Sequence, residues 1–485
     1  MIFNEGGEPL QTYLAIDIGA SSGRHILSWV EDGRIRLEEI YRFENGLVSQ
    51  NGHLCWDVQK LWNSILTGMK VLGERGNIPV SLGIDTWAVD YVLLDEKDHV
   101  LGDTMGYRDK RTEGMDKRLE RTMSFRELYT HTGIAKQPFN TVYQLMAADP
   151  AQLNRADAFL MIPDYFHFLL TGKKVNEYTN ASTTALMNAA DRCWDKAVLR
   201  AAGIPEKLFS SKPQMPGTVV GELLADIAKQ VGYSCKVVLP ASHDTGSAFL
   251  AVPAQDESAV YLSSGTWSLL GVENDVPITS EESVAAGFTN EGGYNGKIRY
   301  LKNIMGLWIL QCIHKETENR YTFSEMAEMA AGGAGYPGLI DVNDRRFLAP
   351  ESMIDEIKAS LKAAGHPEPP SLSNLLYCVY RSLAVCYRDA IHQLRALTGE
   401  NYTSINIIGG GSQNATLNQM TADMTGLPVF AGPKEGTALG NAIAQMLANG
   451  EFENIAEARK AIKNSFPIKS YDPYDGKGLQ DEHFI

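Results

Sequence analysis

A strand–turn–strand pattern that occurs twice, once near the start of the chain and once past its midpoint, restricts the fold more than any other feature. Residues 13–23 read YLAIDIGASSG. Tyr13, Leu14, Ala15, Ile16 and Ile18 form a short apolar strand, interrupted by Asp17 and turned by Gly19-Ala20-Ser21-Ser22-Gly23. Arg24 to Val30 then reads as a second strand, closed by Glu31-Asp32-Gly33. Residues 259–272, AVYLSSGTWSLLGV, repeat the arrangement around Ser263-Ser264-Gly265-Thr266. Small side chains leave turn N–H groups exposed, and converging N–H groups cradle phosphate oxygens. One such turn is an ordinary hairpin; two, at comparable places in two halves, predict two similar lobes. The residues after Gly23 fit neither G-x-G-x-x-G nor G-x-x-x-x-G-K-[ST]. Asp17 is expected to face whatever the turn holds, and a carboxylate beside phosphates implies a hydrated Mg²⁺ between them, reached through water.

Each half also carries a further strand ending in small or polar residues, VSLGIDTWAVDYVLLD at 80–95 and INIIGGGSQN at 405–414. Gly409-Gly410-Gly411 would let a ligand lie flat against the backbone. Two phosphate turns and a glycine shelf would enclose one nucleotide in a cleft. AVPAQDES (251–258) is the expected boundary, giving an N-terminal lobe 1–250 and a C-terminal lobe 251–485. Strands and helices alternate throughout, which predicts an α/β fold. Apolar residues at spacings of three and four predict helices over 57–72 and over 375–397, the latter stopped by Gly399. The latter is a buried face without chemistry.

With 485 residues and 44% apolar content the chain can bury a large core in two or more domains. A formal net charge of −15 argues against nucleic-acid and anionic-membrane partners, which need basic surface. Six cysteines lie scattered without CxxC or Cys/His metal spacing, as reduced thiols of a cytosolic protein do. The leader MIFNEGGEPLQT has neither a basic n-region nor an apolar h-region, so a cytoplasmic location is expected.

The chemistry is expected ahead of the boundary, in KVVLPASHDTGSAFLAV. Val237, Val238 and Leu239 make a strand that Pro240 ends, and Thr245-Gly246-Ser247 can start a helix, so His243-Asp244 falls in a strand-to-helix turn. Asp244 there has two readings. It is either a helix N-cap or a general base, kept ionised by the helix N-terminus and able to take a proton from an attacking hydroxyl.

Taken in order, Asp17 with GASSGR, GIDTW, YRDKRT, PDYFHFLLTG, EYTNASTT, ASHDT, YLSSGTWSL, LKNIMGLWILQ and IIGGGSQN resemble the FGGY carbohydrate kinases of the actin-like ATPase superfamily, over residues 13–447. The resemblance implies two RNase-H-like lobes with an interdomain cleft for nucleotide and sugar, and transfer of the ATP γ-phosphoryl to the 1-hydroxyl of a ketose. L-Rhamnulose is the ketose that GIDTW, EYTNASTT and LKNIMGLW favour; xylulose and fuculose are alternatives, and a non-sugar actin-like ATPase is a more distant one. It also implies that Ala20, Ser21, Ser22, Gly23 and Arg24 hold ATP phosphates, joined by Thr266, Gln311 and Gly410. Asp244 matches the proton acceptor. Ala88, His243, Asp244, Thr245 and Asn303 match sugar-contacting positions, with Ala88 standing where the pattern has glycine. ATP and Mg²⁺ are the implied co-substrate and metal.

Overall fold

The first strand–turn–strand forms the centre of a six-stranded mixed sheet in a computed structural model that describes residues 2, 6–7, 9–254 and 256–474. Its strands are β1 (Thr12–Ile18), β2 (Ser22–Glu31), β3 (Arg34–Glu44), β4 (Ser81–Thr86), β5 (Val219–Glu222) and β6 (Lys236–Val238), in the order β5-β6-β4-β1-β2-β3. β1 pairs antiparallel with β2 and parallel with β4, β4 pairs parallel with β6, and β5 closes the edge antiparallel. β1 and β4 are buried along their whole length, as apolar runs at the centre of a sheet should be.

The second strand–turn–strand does the same in a seven-stranded sheet. Its strands are β7 (Ala259–Ser264), β8 (Trp267–Asn274), β9 (Thr289–Gly292), β10 (Ile298–Met305), β11 (Ser404–Ile408), β12 (Val429–Ala431) and β13 (Lys469–Tyr471), in the order β9-β10-β8-β7-β11-β12-β13. β7/β8 is antiparallel, β7/β11 and β11/β12 are parallel, and β12/β13 is antiparallel. The ladder around the central hairpin is therefore built twice, as the paired motifs require.

The chain separates into two compact units that are not contiguous in sequence. Unit 1 is Met1–Ala251, Glu273–Tyr300 and Gly436–Ser465; unit 2 is Val252–Val272, Leu301–Glu435 and Phe466–Ile485. The helix Gly436–Ala448 belongs to unit 1 because its polar residues finish that unit's sheet. Gln445 Nε2 donates to the Leu14 carbonyl (3.0 Å) and its Oε1 accepts from the Ser81 hydroxyl (2.9 Å). Gly440 has no room for a Cβ against the Ser247 carbonyl of the helix Asp244–Leu250, so only glycine allows the two helices this close.

The helix expected over 57–72 runs Val58–Glu74. Asp57 caps it by accepting from the Lys60 N–H, and Leu61, Ile65, Met69 and Leu72 are buried. The helix expected over 375–397 runs Leu372–Thr398, between the Ser371 cap and Gly399 at φ 75°. Two local expectations change. The turns are shorter than drawn: Ser22 and Gly23 already lie in β2, and Ser263 and Ser264 end β7. Residues 80–95 are not one strand. β4 stops at Thr86, and Tyr91–Leu94 pairs instead with Ala158–Met161 in a separate two-stranded sheet. Cys55, Cys235 and Cys378 are buried, Cys193, Cys312 and Cys386 half-buried, and all six are free. Among the described residues no helix is long and apolar enough to cross a membrane.

Candidate active site

In unit 1 the C-terminal ends of β1 and β4 bring carboxylates together. Asp17 and Asp85 are register partners on these parallel strands, so both side chains lie on one face. Across the hairpin Asp17 is paired with Arg24, whose Nε and Nη2 reach Asp17 Oδ2 at 2.9 and 2.7 Å. Asp85 is fully buried; Asn441 Nδ2 donates to its Oδ2 at 2.6 Å, and its Oδ1 has no partner. Burial first, and then the charge of Asp17, push the Asp85 carboxyl well above the usual range.

β4 leads to the second group. The Thr86 N–H donates to the Ser242 carbonyl (2.9 Å), and Thr86 bridges His243, so the residues after GIDT lie beside the strand-to-helix turn. The helix there is Asp244–Leu250, and His243, not Asp244, occupies the N-cap position. Asp244 is the first helical residue; its Oδ1 accepts from the Thr245 N–H at 2.6 Å, and 27% of its side chain remains exposed. Burial raises its pKa, with Asp17 adding to the rise and His243 and Arg299 opposing it.

His243 and Thr245 are held from behind by Arg299, whose side chain has no exposed surface. Arg299 Nη2 donates to Glu291 Oε2 (3.0 Å) and to His243 Nδ1 (3.0 Å), Nη1 to Thr245 Oγ1 (3.0 Å) and Nε to the Gly292 carbonyl (2.8 Å). Its guanidinium lies 5.5 Å from the centre of the Phe249 ring. A guanidinium only donates, so His243 Nδ1 accepts, and neutral His243 carries its proton on Nε2. Nε2 faces Thr245 Oγ1 at 2.9 Å and Asp244 Oδ1 at 3.5 Å. With two donors on its oxygen, the Thr245 hydroxyl is left to donate. Burial alone would raise Glu291, but the Arg299 guanidinium on its Oε2, with His243 beside it, outweighs burial and holds the carboxyl below its usual range.

Ala88 stands in a bend, Trp87–Asp90, after β4. The carboxylate of Asp90 collects donors there: Trp56 Nε1 (2.6 Å), Trp87 Nε1 (3.0 Å) and the Tyr107 N–H (3.0 Å) on Oδ2, and Gln144 Nε2 (3.0 Å) on Oδ1. Burial pushes its pKa up to about 6, a rise that the hydrogen bonds from Trp56, Gln144 and Trp87 oppose.

Unit 2 assembles its own constellation. Thr266 Oγ1 donates to Gln311 Oε1 (3.3 Å), and the Gly306 and Trp308 N–H groups both reach the Thr266 carbonyl at 3.2 Å, fixing the start of the helix Trp308–Glu316 against the turn. The glycine shelf packs on the same turn. Gly409, at φ 84°, and Gly411 would each drive a Cβ into Ser264, whereas a Cβ at Gly410 would meet open space. Asn303 lies on β10, half-buried.

Residues 12–251 match the FGGY family of carbohydrate kinases, N-terminal domain, and residues 260–449 match its C-terminal domain. The chain belongs to the FGGY family of carbohydrate kinases. It is 47% identical over 464 residues to a rhamnulokinase of Oceanobacillus iheyensis, covering 95% of this chain and 98% of the relative. It is 49% identical over 462 residues to a rhamnulokinase of Halalkalibacterium halodurans, covering 94% and 98%. A gluconate kinase from Lactobacillus acidophilus shares the fold, with a TM-score of 0.79 at 18% identity over 96% of this chain and 94% of that one. The fold is thus the two-domain one of actin-like sugar kinases, and as a carbohydrate kinase the protein uses ATP as co-substrate.

Seen as an FGGY kinase, the chain sorts its sequence-selected residues into two sets. Asp17, Ala20 to Arg24, Ala88, His243, Asp244 and Thr245 lie in unit 1, and Thr266, Asn303, Gln311 and Gly410 lie in unit 2. Arg24, expected on phosphates, here sits on Asp17. Sequence reasoning missed Asp85, although GIDTW was singled out, and it missed Glu291, Arg299, Asp90 and Gln144. A carboxylate at the register position of Asp17 was the only available signal for Asp85. No local pattern marks Arg299.

Proposed function

We propose that this kinase transfers the γ-phosphoryl group of ATP to the 1-hydroxyl of L-rhamnulose. The observation that carries the reading is the partly exposed Asp244 carboxylate, beside the His243 imidazole and the Thr245 N–H on a helix start, in a chain about half identical to rhamnulokinases over nearly its full length. In this reading Asp244 accepts the proton of the attacking hydroxyl, and His243 holds Thr245 so that its hydroxyl donates to the sugar, with His243, Ala88 and Asn303 as further contacts. Ala20 to Arg24, Thr266, Gln311 and Gly410 serve the nucleotide. Phosphoryl transfer has a loose transition state, so catalysis is mostly positioning and charge neutralisation.

Among the described residues no three or more His, Cys, Asp and Glu side chains cluster to hold a metal. The Asp17 carboxylate and the unpartnered Asp85 Oδ1 instead suit Mg²⁺, which keeps most of its waters and takes one or two carboxylates plus substrate phosphates. Asp17 would hold it through water, and bound there it would neutralise phosphate charge.

An ADP-release assay over L-rhamnulose, D-xylulose, L-fuculose and D-ribulose, with ³¹P NMR of the product, tests this. The expected result is the highest kcat/KM with L-rhamnulose and phosphate on C1. A higher kcat/KM with another ketose, or phosphate at another carbon, overturns the substrate assignment.

A further inference from the structure

The bend after β4 contains a backbone outlier. Val89 has φ 66°, in the left-handed region, where a β-branched residue is rare and strained. The Asp90 N–H donates to the Ala88 carbonyl at 2.9 Å, closing a three-residue γ-turn of the uncommon, strained hand. Such strain persists only where the surroundings over-determine it, and here they do. The Val89 carbonyl accepts from Thr141 Oγ1 (2.6 Å) and Gln144 Nε2 (3.2 Å). Asp90 ties the turn to the indoles of Trp56 and Trp87, whose ring centres are 3.9 Å apart. Gln144 is anchored in turn by Arg111 Nη2 (2.6 Å). On the other side the turn is joined through Thr86 to Ser242 and His243.

A chain that only had to leave one sheet for another could do so through glycine, which adopts this φ freely. Val89 is instead buried and braced. We propose that the γ-turn centred on Val89, braced by Asp90, Thr141 and Gln144, is the specificity-determining element of the acceptor site, because it holds the Ala88 methyl at one fixed position against the ketose. This rests on Ala88 being an acceptor contact. A ketose with an extra or misdirected group at that position meets a wall that cannot yield, whereas a relaxed turn would yield. Asp90 and Val89 act here as positioning residues and touch no reacting atom.

The test compares Val89→Gly, Ala88→Gly and the parent enzyme on the ketose panel, scoring the ratio of kcat/KM for the preferred ketose over the next best. Val89→Gly keeps the turn's φ accessible while releasing its rigidity. The ratio should fall by about tenfold, the scale of one methylene-sized contact. ATP KM should stay within about twofold, because a local change of shape at the acceptor leaves nucleotide contacts alone. Val89→Asn, which also tolerates the left-handed region, repeats the measurement if the glycine variant folds poorly. Ala88→Gly changing the ratio while neither Val89 variant does overturns the turn as determinant and leaves the acceptor assignment standing. No change with any variant overturns both. A fall in melting temperature with an unchanged ratio marks the turn as a structural brace only and refutes the proposal. Because the ratio is scored on whichever ketose the enzyme prefers, the test survives a wrong substrate name.

Discussion

Replacing Asp244 by asparagine separates a base from a helix-terminal carboxylate. Asparagine keeps the Oδ1 that accepts from the Thr245 N–H, so the start of the helix Asp244–Leu250 loses no hydrogen bond. Burial and the charge of Asp17 already disfavour ionised Asp244, so a neutral side chain of the same shape is no worse placed. Stability should change by less than about 1 kcal/mol, a few degrees at most in melting temperature. Loss of the proton acceptor should lower kcat by about 10²–10⁴-fold, equivalent to roughly 3–5 kcal/mol of barrier at 1.36 kcal/mol per decade. The assay is coupled ADP release at saturating ATP and ketose, with ketose affinity read from tryptophan fluorescence and folding from thermal melts. The parent enzyme adds a pH signature. Asp244 must be deprotonated to act, so activity is lost as pH falls through its folded pKa, which lies above the ordinary 3.8. That acid limb should vanish from what residual activity the variant has. Near-parental kcat with a lowered melting temperature would refute the assignment and leave Asp244 as a structural carboxylate.

Arg299→Lys keeps the charge but loses the fork that serves His243, Thr245 and Glu291 at once; ketose KM should rise by about tenfold or more with ATP KM unchanged, and an equal rise in both would show a general loss of fold. Gly410→Val places its side chain in open space, so it should fold normally and raise ATP KM by about an order of magnitude; Gly411→Val, which collides with Ser264, should lower the melting temperature instead. Asp85 has a folded pKa above its unfolded value, so its contribution to stability is complete below about pH 3.9 and is lost as pH rises through the folded pKa. Melting temperatures of the ligand-free protein, scanned upward from about pH 4, should therefore fall as Asp85 ionises, and Asp85→Asn should flatten that slope; an unchanged slope would remove Asp85 as its source.

The two strand–turn–strand units, the capped helices and the strand-to-helix position of His243-Asp244 were all legible in the sequence, because each depends on periodicity and turn chemistry within a few residues. Glycines at 409–411 were equally legible as a close backbone approach, although only the fold shows that Gly409 and Gly411 serve Ser264 and leave Gly410 open. The break inside VSLGIDTWAVDYVLLD was not legible. Its residues read as one apolar run, and the interruption at Val89 is enforced by Thr141, Gln144 and Trp56, which come from distant segments.

By itself, then, the sequence determined which short segments become strands, turns and helices, and through its motifs the kinase family. Tertiary structure alone decided what stands beside Asp17 and behind His243. Asp85 reaches Asp17 through a parallel register, Asn441 reaches Asp85 from a helix more than three hundred residues later in the chain, and Arg299 joins His243 and Thr245 at a helix start to Glu291 on a strand. Local propensity carries no information about such meetings. They follow from strand order and helix crossings, and those are set by burial of the whole apolar surface rather than by any stretch of a few residues.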